Sequence, residues 1–241
     1  MSDESVVENL SRIRKRIGKN TIRSKSVAPH VLTAMEVNYD QVELARNEFG
    51  PEWKDQEGIS LTYLPFLASA LANALLEFPQ VNSSISGDEI FLHKKINIGL
   101  AVDLNFDGLV VPVVRDVDSM SVSEIARSFA EIARRARANE LMPDDMAGGT
   151  FTLTNAGAYG TMLSFPIINQ PQVAILSTDG VHRKPVVFTD NEGNERVGIG
   201  SVGILGLAWD HRPFDGAYAA AFLNRVRELV ENTDWLEKLS T

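Results

Sequence analysis

The stretch "VGILGLAWDHRPFDGAYAAAFLNRVRELV", residues 202–230, predicts a strand that leads directly into a helix. Its first eight residues are apolar or glycine, as in a strand inside a sheet. Pro213 excludes a regular helix through the segment that follows, and a new helix is predicted from Ala217. The apolar residues of that helix recur at helical spacing: Ala219, Phe222, Leu223, Val226 and Val230. A side chain at such a junction projects from a rigid edge, which favours a functional role for His211.

Strands and helices follow one another irregularly along the rest of the chain. Strands are predicted at 30–39, on both sides of the turn "NFDG" within 96–114, at the start of 148–160 before a glycine-punctuated loop, at 172–177, on both sides of the turn "DNEGN" within 184–200, and at 202–209. Helices are predicted over 61–78, behind the capping-box pair Ser121 and Glu124, and from Ala217. No repeat or linker divides this part of the chain. The pattern therefore predicts an α+β fold, a mixed β-sheet with helices on one side, in one domain over 26–241.

Residues 1–25 precede this domain and are predicted to form an N-terminal arm. The basic run "RIRKRIGKNTIRSK" at 12–25 covers a thin apolar stripe at helical spacing, formed by Val6, Leu10, Ile13 and Ile17. The stripe favours an arm that packs on another surface. A frayed and solvated terminus explains the same residues equally well.

The composition excludes several classes of function. Acidic residues outnumber basic ones 32 to 23, which disfavours attraction to nucleic acid phosphates. Apolar runs are too short for a membrane helix, and the N-terminus has no apolar signal region. The chain has no cysteine, so a disulfide, a thiolate metal site and a cysteine nucleophile are excluded, and a cytoplasmic protein is expected.

The four histidines do not form a metal site by their spacing. They are His30, His93, His182 and His211. None pairs with another at the spacing of metal ligands, so no bound metal is expected. His93 and His182 lie among basic residues in predicted surface hairpins, which leaves His211 as the candidate for chemistry.

A neutral imidazole at position 211 suits the removal of a proton from a thiol. Its ordinary pKa is about 6.5, whereas that of a thiol is about 8.5. A thiol that attacks a thioester produces a tetrahedral oxyanion, which needs a hydrogen-bond donor. Asp215 precedes the predicted helix and is expected to cap it. Spacing alone leaves a catalytic His211 and an ordinary loop histidine about equally supported.

The chain resembles the catalytic core domain of the dihydrolipoamide acyltransferases of 2-oxo-acid dehydrogenase complexes, which share the fold of chloramphenicol acetyltransferase. The resemblance runs through "RIRKRIGKN", "PHVLTAMEVNYD", "NIGLAVDLNFDGLVVPVVRDV", "GGTFTLTNAGAYGT", "FPIINQPQVAIL" and "DHRPFDGAYAAAFL", in the order of the family and over nearly the whole chain. It implies a two-layer sandwich like that of chloramphenicol acetyltransferase. It also implies transfer of an acetyl, succinyl or branched-chain acyl group between dihydrolipoyl and CoA thiols, and leaves the preferred group open.

The resemblance assigns roles to individual residues. His211 matches the general base, and Thr154 matches the hydroxyl that stabilises the oxyanion. Asp215 and Gly216 complete the histidine motif, with Asp215 mainly structural through an ion pair to an N-terminal arginine, either Arg14 or Arg16. Asn155 is expected to border the site and, with Gly216, to contact the bound CoA. Pro213 and Phe214 replace the usual aliphatic pair of this motif, a change that is expected to alter the shape of the cleft.

The resemblance also implies an assembly. Members form homotrimers, some joined into cubic or icosahedral cores, with the active site between subunits. The lipoyl group is carried on a separate domain, and the partners are the lipoyl domain and the dehydrogenase and dihydrolipoamide dehydrogenase subunits. The lipoyl and peripheral-subunit-binding domains are not present in this chain, which is expected to be a truncated core of a cytoplasmic complex, or of a mitochondrial matrix complex in a eukaryote.

Other classes of protein explain part of the pattern. Condensation domains and plant-type acyltransferases also contain a His-x-x-x-Asp string, but they are much longer chains. A non-catalytic scaffold subunit that binds partner enzymes is the main alternative from another class, although it is expected to lose the histidine that this chain retains. A binding module without chemistry remains a third reading, since a shared fold does not prove activity.

Overall fold

The protein folds as a mixture of six described helices and eleven described strands. The structure is a computed structural model and describes residues 6–190 and 192–240. Its helices are α1 (Arg12–Val27), α2 (Asp40–Glu57), α3 (Leu64–Glu77), α4 (Val122–Arg137), α5 (Gly216–Asn232) and α6 (Trp235–Ser240). Its strands are β1 (His30–Asn38), β2 (Ser83–Ser86), β3 (Glu89–Leu92), β4 (Ile98–Leu100), β5 (Val102–Asp103), β6 (Leu109–Val110), β7 (Val113–Val114), β8 (Phe151–Asn155), β9 (Ala174–Thr178), β10 (His182–Thr189) and β11 (Glu195–Asp210). The predicted α+β class is confirmed.

Seven of the described strands form one mixed sheet. Its order is β1-β11-β9-β8-β4-β7, and β10 pairs with β11 beside this path. β8 is parallel to β4 and β9, whereas β11 is antiparallel to β1, β9 and β10. The carboxyl end of β11 therefore lies at the same edge of the sheet as the amino ends of β9 and β8. The hairpins β2–β3 and β5–β6 are separate from this sheet.

Helices α2 to α6 pack on one face of the sheet through apolar side chains. Phe151 of β8 lies against Phe222 of α5, with ring centroids 6.3 Å apart. Phe66 of α3 meets Trp235 of α6 edge to face at 5.4 Å. All four side chains are buried, and burial of such aromatic groups contributes about 1.5–3 kcal/mol each. Because α5 follows His211 closely, this packing also fixes the place of the junction.

The opposite face of the sheet is partly covered by the segment 161–171. Side chains alternate along β8, so Phe151 faces the helices while Thr152 and Thr154 face this segment. The Ser177 hydroxyl of β9 donates to the carbonyl of Ser164 at 2.6 Å. The segment is thereby held against the sheet beside the strand that carries Thr154.

The close approach of this segment requires glycine at position 206. A Cβ atom there would lie 2.6 Å from the Ser164 carbonyl oxygen and 2.7 Å from the Ser177 hydroxyl. We expect Gly206→Ala to lower the free energy of unfolding by about 1–3 kcal/mol, because backbone must move to admit the methyl group. The matched control is Gly18→Ala in α1, where no atom lies within 4 Å and helix propensity predicts a gain of up to about 1 kcal/mol. Denaturant unfolding measures both, and equal stability of Gly206→Ala and the parent protein would contradict the close contact.

Helix α1 forms most of the described part of the predicted arm. Val6 and Leu10 are 93% and 65% exposed, so the apolar stripe does not continue to them. Ser24 is buried and its hydroxyl donates to the carbonyl of Ile168 at 2.7 Å. Through this bond the helix contacts the segment 161–171 of its own chain, and it continues to Val27, two residues beyond the predicted end of the arm. The first five residues of the predicted arm lie outside the described residues.

Two predictions about strands are wrong in detail. The segments on either side of Ser201 were expected to be separate strands, but β11 is one strand of 16 residues. It stays continuous because its neighbour changes at Val202, from β10 to β1. Between 96 and 114, four short strands replace the two expected: β4 and β7 join the main sheet, and β5 and β6 form a hairpin.

Candidate active site

His211 lies directly after the last residue of β11, at the predicted junction. Its backbone N–H donates to the carbonyl of Pro29 at 3.1 Å. Its ring lies against Trp209, with centroids 4.9 Å apart, and its side chain is 46% exposed. The backbone of this residue is fixed, and the half-exposed imidazole is accessible to a substrate.

The residues on either side of His211 form an ion pair between a buried carboxylate and a partly exposed guanidinium. Asp210 is fully buried, and its Oδ2 accepts a hydrogen bond from Arg212 Nη2 at 2.6 Å. Asp210 Oδ1 accepts from both the backbone N–H and Nε of Arg212 at 3.0 Å. The hydrogen bonds that the Arg212 side chain donates to Asp210 raise the pKa of the guanidinium above its ordinary value. This pair was not predicted from the sequence, although a carboxylate directly after an eight-residue apolar run was a signal for it.

Phe214 fills the core beneath the junction. It is buried and stacks on Trp209, with centroids 5.2 Å apart and planes at 19°. Its other neighbour is Tyr218 of α5, at 5.6 Å. Pro213 is buried as well, so both residues lie beneath the junction, and their effect on the shape of the cleft remains a prediction.

Asp215 occupies the expected position but makes different contacts. It is the N-cap residue of α5, which begins at Gly216, yet its side chain makes no capping hydrogen bond. Its Oδ1 lies 3.9 Å from His211 Nδ1, beyond hydrogen-bond distance, and its side chain is 90% exposed. Among the described residues, Asp215 forms no ion pair with either expected partner, Arg14 or Arg16, and Arg14 instead donates to the carbonyl of Phe106 at 2.5 Å.

Thr154 and Asn155 are the last two residues of β8, which lies two strands away from β11 in the sheet. Thr154 is half-buried and pairs with Ser177 of β9. Asn155 is exposed, and its Oδ1 accepts a hydrogen bond from the backbone N–H of Gly157 at 2.7 Å. This bond stabilises the turn that follows the strand. Contacts of Asn155 or Gly216 with CoA remain predictions.

Within one chain, Thr154 and His211 are far apart. Thr154 pairs with Ser177, which in turn pairs with Gly206 of β11, two strands away from β8. His211 lies five residues beyond Gly206. With a rise of about 3.3 Å per residue and about 4.8 Å between strands, the two residues are roughly 19 Å apart. A base and an oxyanion donor act within about 3 Å of the reacting atoms, so a single chain does not bring them together.

The described residues give no sign of a metal site or a membrane span. Across 6–190 and 192–240, no group of three or more histidine, aspartate and glutamate residues is arranged to hold a metal ion. None of the described helices is long and apolar enough to cross a bilayer. Burial lowers the pKa of His93, which lies after β3 and away from the junction.

Comparison with known proteins identifies close relatives over nearly the whole chain. The model of the family "2-oxoacid dehydrogenases acyltransferase (catalytic domain)" matches residues 2–237. The lipoamide acyltransferase component of the branched-chain alpha-keto acid dehydrogenase complex of Bacillus subtilis is 40% identical over 222 residues, which is 92% of this chain and 51% of that protein. Proteins named for acetyl and succinyl transfer match over 93% and 92% of this chain. The chain thus spans about half the length of the curated relatives it matches.

Solved structures agree with this match. A probable dihydrolipoamide acetyltransferase from Listeria monocytogenes has a TM-score of 0.87 and 38% identity, covering 96% of this chain and 98% of that one. The dihydrolipoamide acetyltransferase of Azotobacter vinelandii, studied for the catalytic role of a serine, a histidine and an asparagine, has a TM-score of 0.89 and 32% identity, covering 97% and 94%. The cubic core of a pyruvate dehydrogenase multienzyme complex has a TM-score of 0.88 and 32% identity, covering 98% and 96%. A chloramphenicol acetyltransferase, 13% identical with a TM-score of 0.51 over 93% of this chain and all of that one, shares the fold alone.

Proposed function

The chain belongs to the family of 2-oxoacid dehydrogenase acyltransferase catalytic domains, and we propose that it transfers an acyl group between the thiols of a dihydrolipoyl group and CoA. The observation that carries the proposal is the half-exposed imidazole of His211, held by its backbone at the end of a buried strand. The relatives named for acetyl, succinyl and branched-chain complexes support the same reaction with different acyl groups.

In the proposed reaction, His211 accepts the proton of the attacking thiol. The resulting sulfur anion forms a bond to the thioester carbonyl carbon, and the carbonyl oxygen becomes an oxyanion that accepts a hydrogen bond from the Thr154 hydroxyl. When this intermediate collapses, the bond to the original sulfur breaks and the departing thiolate takes the proton from His211. The imidazole returns to its neutral form, so the protein is unchanged after each transfer.

The separation of Thr154 and His211 supports a site shared by two copies of the chain. A copy that presents His211 needs a second copy to present Thr154, and a ring of three copies supplies this contact three times. We therefore propose a homotrimer, which could be joined into a larger cubic or icosahedral core. The resemblance to a cubic core structure supports this assembly.

The proposal also defines the partners and the location. The lipoyl group arrives on a separate lipoyl domain, and the dehydrogenase and dihydrolipoamide dehydrogenase subunits supply and regenerate it. CoA is a substrate, and no metal takes part in the step. We place the protein in the cytoplasm, or in the mitochondrial matrix of a eukaryote, which localisation of the tagged protein tests.

An acyl-transfer assay with purified protein tests the function. Acetyl-, succinyl- and isobutyryl-CoA are each incubated with dihydrolipoamide, and acyl-dihydrolipoamide is quantified against a reaction without protein. We expect saturable transfer from at least one donor, and the ratio of kcat/KM values then identifies the preferred acyl group. A protein that assembles but transfers none of the three groups would instead support the scaffold alternative.

A further inference from the structure

We propose that the ion pair of Asp210 and Arg212 positions His211, an inference that rests on the proposed role of His211 as the base. The two residues flank His211 in sequence and are joined to each other around it. Neither is expected to contact the reacting atoms. Their effect is to hold the imidazole in one direction.

The hydrogen bonds between Asp210 and Arg212 form a ring that spans residue 211. One oxygen accepts the Arg212 backbone N–H at 3.0 Å, which forms a tight side-chain turn across His211. Both oxygens also receive the guanidinium, through Nε at 3.0 and 3.1 Å and through Nη2 at 2.6 Å. The Arg212 side chain therefore folds back past His211, and this two-point geometry restricts rotation of the segment.

The backbone donors of the same segment are also occupied. The Asp210 N–H donates to Val173 at 2.8 Å and the His211 N–H donates to Pro29 at 3.1 Å. Together with the bond from Arg212 to Asp210, three successive N–H groups have fixed acceptors. The direction of the His211 side chain is set by this backbone, and the ring lies against Trp209.

The charge pair at this place is better explained by geometry than by stability. Desolvation of the buried Asp210 carboxylate offsets much of its attraction to Arg212, so such a pair often contributes little to folding. Asp210 is nevertheless fully buried, and Arg212 is 37% exposed. A misplacement of about 1 Å in a catalytic group can lower a rate about 100-fold, so a rigid hold on His211 has a large effect on turnover.

Replacement of the charged partners tests this role. Asp210→Asn keeps the acceptor for the turn and the shape of the side chain but loses the charge, and Arg212→Lys keeps the charge but loses the two-point contact. We expect each to lower kcat about 10–100-fold and to change KM for CoA and dihydrolipoamide less than about threefold. The matched control is Glu77→Gln, which breaks the two-point contact between Glu77 and Arg225 on the helical side and is expected to leave kcat unchanged.

A double-variant comparison separates positioning from a general structural effect. If the pair acts through His211, Asp210→Asn adds no further loss of kcat in a His211→Ala background. An equal loss in both backgrounds, or an unchanged kcat in folded Asp210→Asn, would overturn the inference. Should Asp210→Asn fail to fold, Arg212→Lys decides the question by the same comparison, because its side chain is partly exposed. An unchanged kcat in His211→Ala alone would instead overturn the proposed function.

Discussion

His211→Ala is expected to lower kcat for acyl transfer by about 10²–10⁴-fold, the usual contribution of a positioned general base. We expect this decrease in kcat because the attacking thiol is only a few per cent ionised near pH 7 and must lose its proton to attack. KM is expected to change little, since the imidazole acts on the reacting proton and the bulk of both substrates binds elsewhere. Steady-state rates with dihydrolipoamide and CoA over a range of pH provide the measurement.

The controls for this variant follow from the structure of the junction. The side chain of His211 is half-exposed, so its removal is expected to leave the melting temperature within a few degrees of the parent protein. His93→Gln changes a histidine away from the junction and is expected to retain full kcat. His211→Gln retains a polar side chain without a base and should be as slow as His211→Ala. Near-normal turnover in both His211 variants would exclude general-base catalysis by this residue.

The elements with strong apolar periodicity were predictable from the sequence. Helix α4 has the capping box of Ser121 and Glu124, and both of its hydrogen bonds are present. Helix α5 begins at Gly216, at the predicted boundary. In both cases the local signal and the tertiary packing favour the same structure, because one apolar face meets the core.

Helix α2 was not predicted, for a physical reason. Among its described residues only Val42 and Ala45 are buried, and Pro51 lies inside it after Gly50. Such a helix has no clear apolar stripe and contains two residues that disfavour helix. Tertiary contacts stabilise it instead, as when Arg46 Nε donates to the carbonyl of Leu61 at 2.9 Å.

The candidate site was only partly predictable because its residues meet through space. The place of His211 followed from a strand, a proline and a helix in sequence. The contact of Asp210 with Arg212 depends on side-chain directions that spacing does not determine. The separation of Thr154 from His211 depends on strand order, which requires the pairing of β8, β9 and β11. The resemblance supplied the expectation that two subunits share the site, and the sheet register now gives it a geometric reason.

Thr154→Val is expected to lower kcat by about 10²–10³-fold, the usual cost of removing one oxyanion donor. Valine has nearly the shape of threonine and the same preference for a strand, so the fold should be retained. Thr154→Ser keeps the hydroxyl and is expected to remain within a few fold of the parent rate. Thr152→Val is the matched control on the same strand and face, since its hydroxyl is bound to Gln172 at 2.5 Å. That variant should lose stability without a comparable loss of kcat.

Co-expression of the His211→Ala and Thr154→Val chains tests whether the site is shared between copies. If each site takes its histidine from one copy and its threonine from the next, about a quarter of the sites in randomly mixed rings contain both native residues. Activity should then rise to about a quarter of the parent value, although each variant alone is almost inactive. Separately purified variants mixed after assembly should show no such recovery unless their subunits exchange.

The outcome of this mixing experiment distinguishes two geometries that single variants cannot. If Thr154 and His211 of one chain acted together, no mixed ring would contain an intact site, and activity would stay at the level of the single variants. That result would also conflict with the register of the sheet, which places the two residues roughly 19 Å apart in one chain. Recovery of activity requires a second copy to bring Thr154 to His211, so it would establish that the active site exists only in the assembled protein.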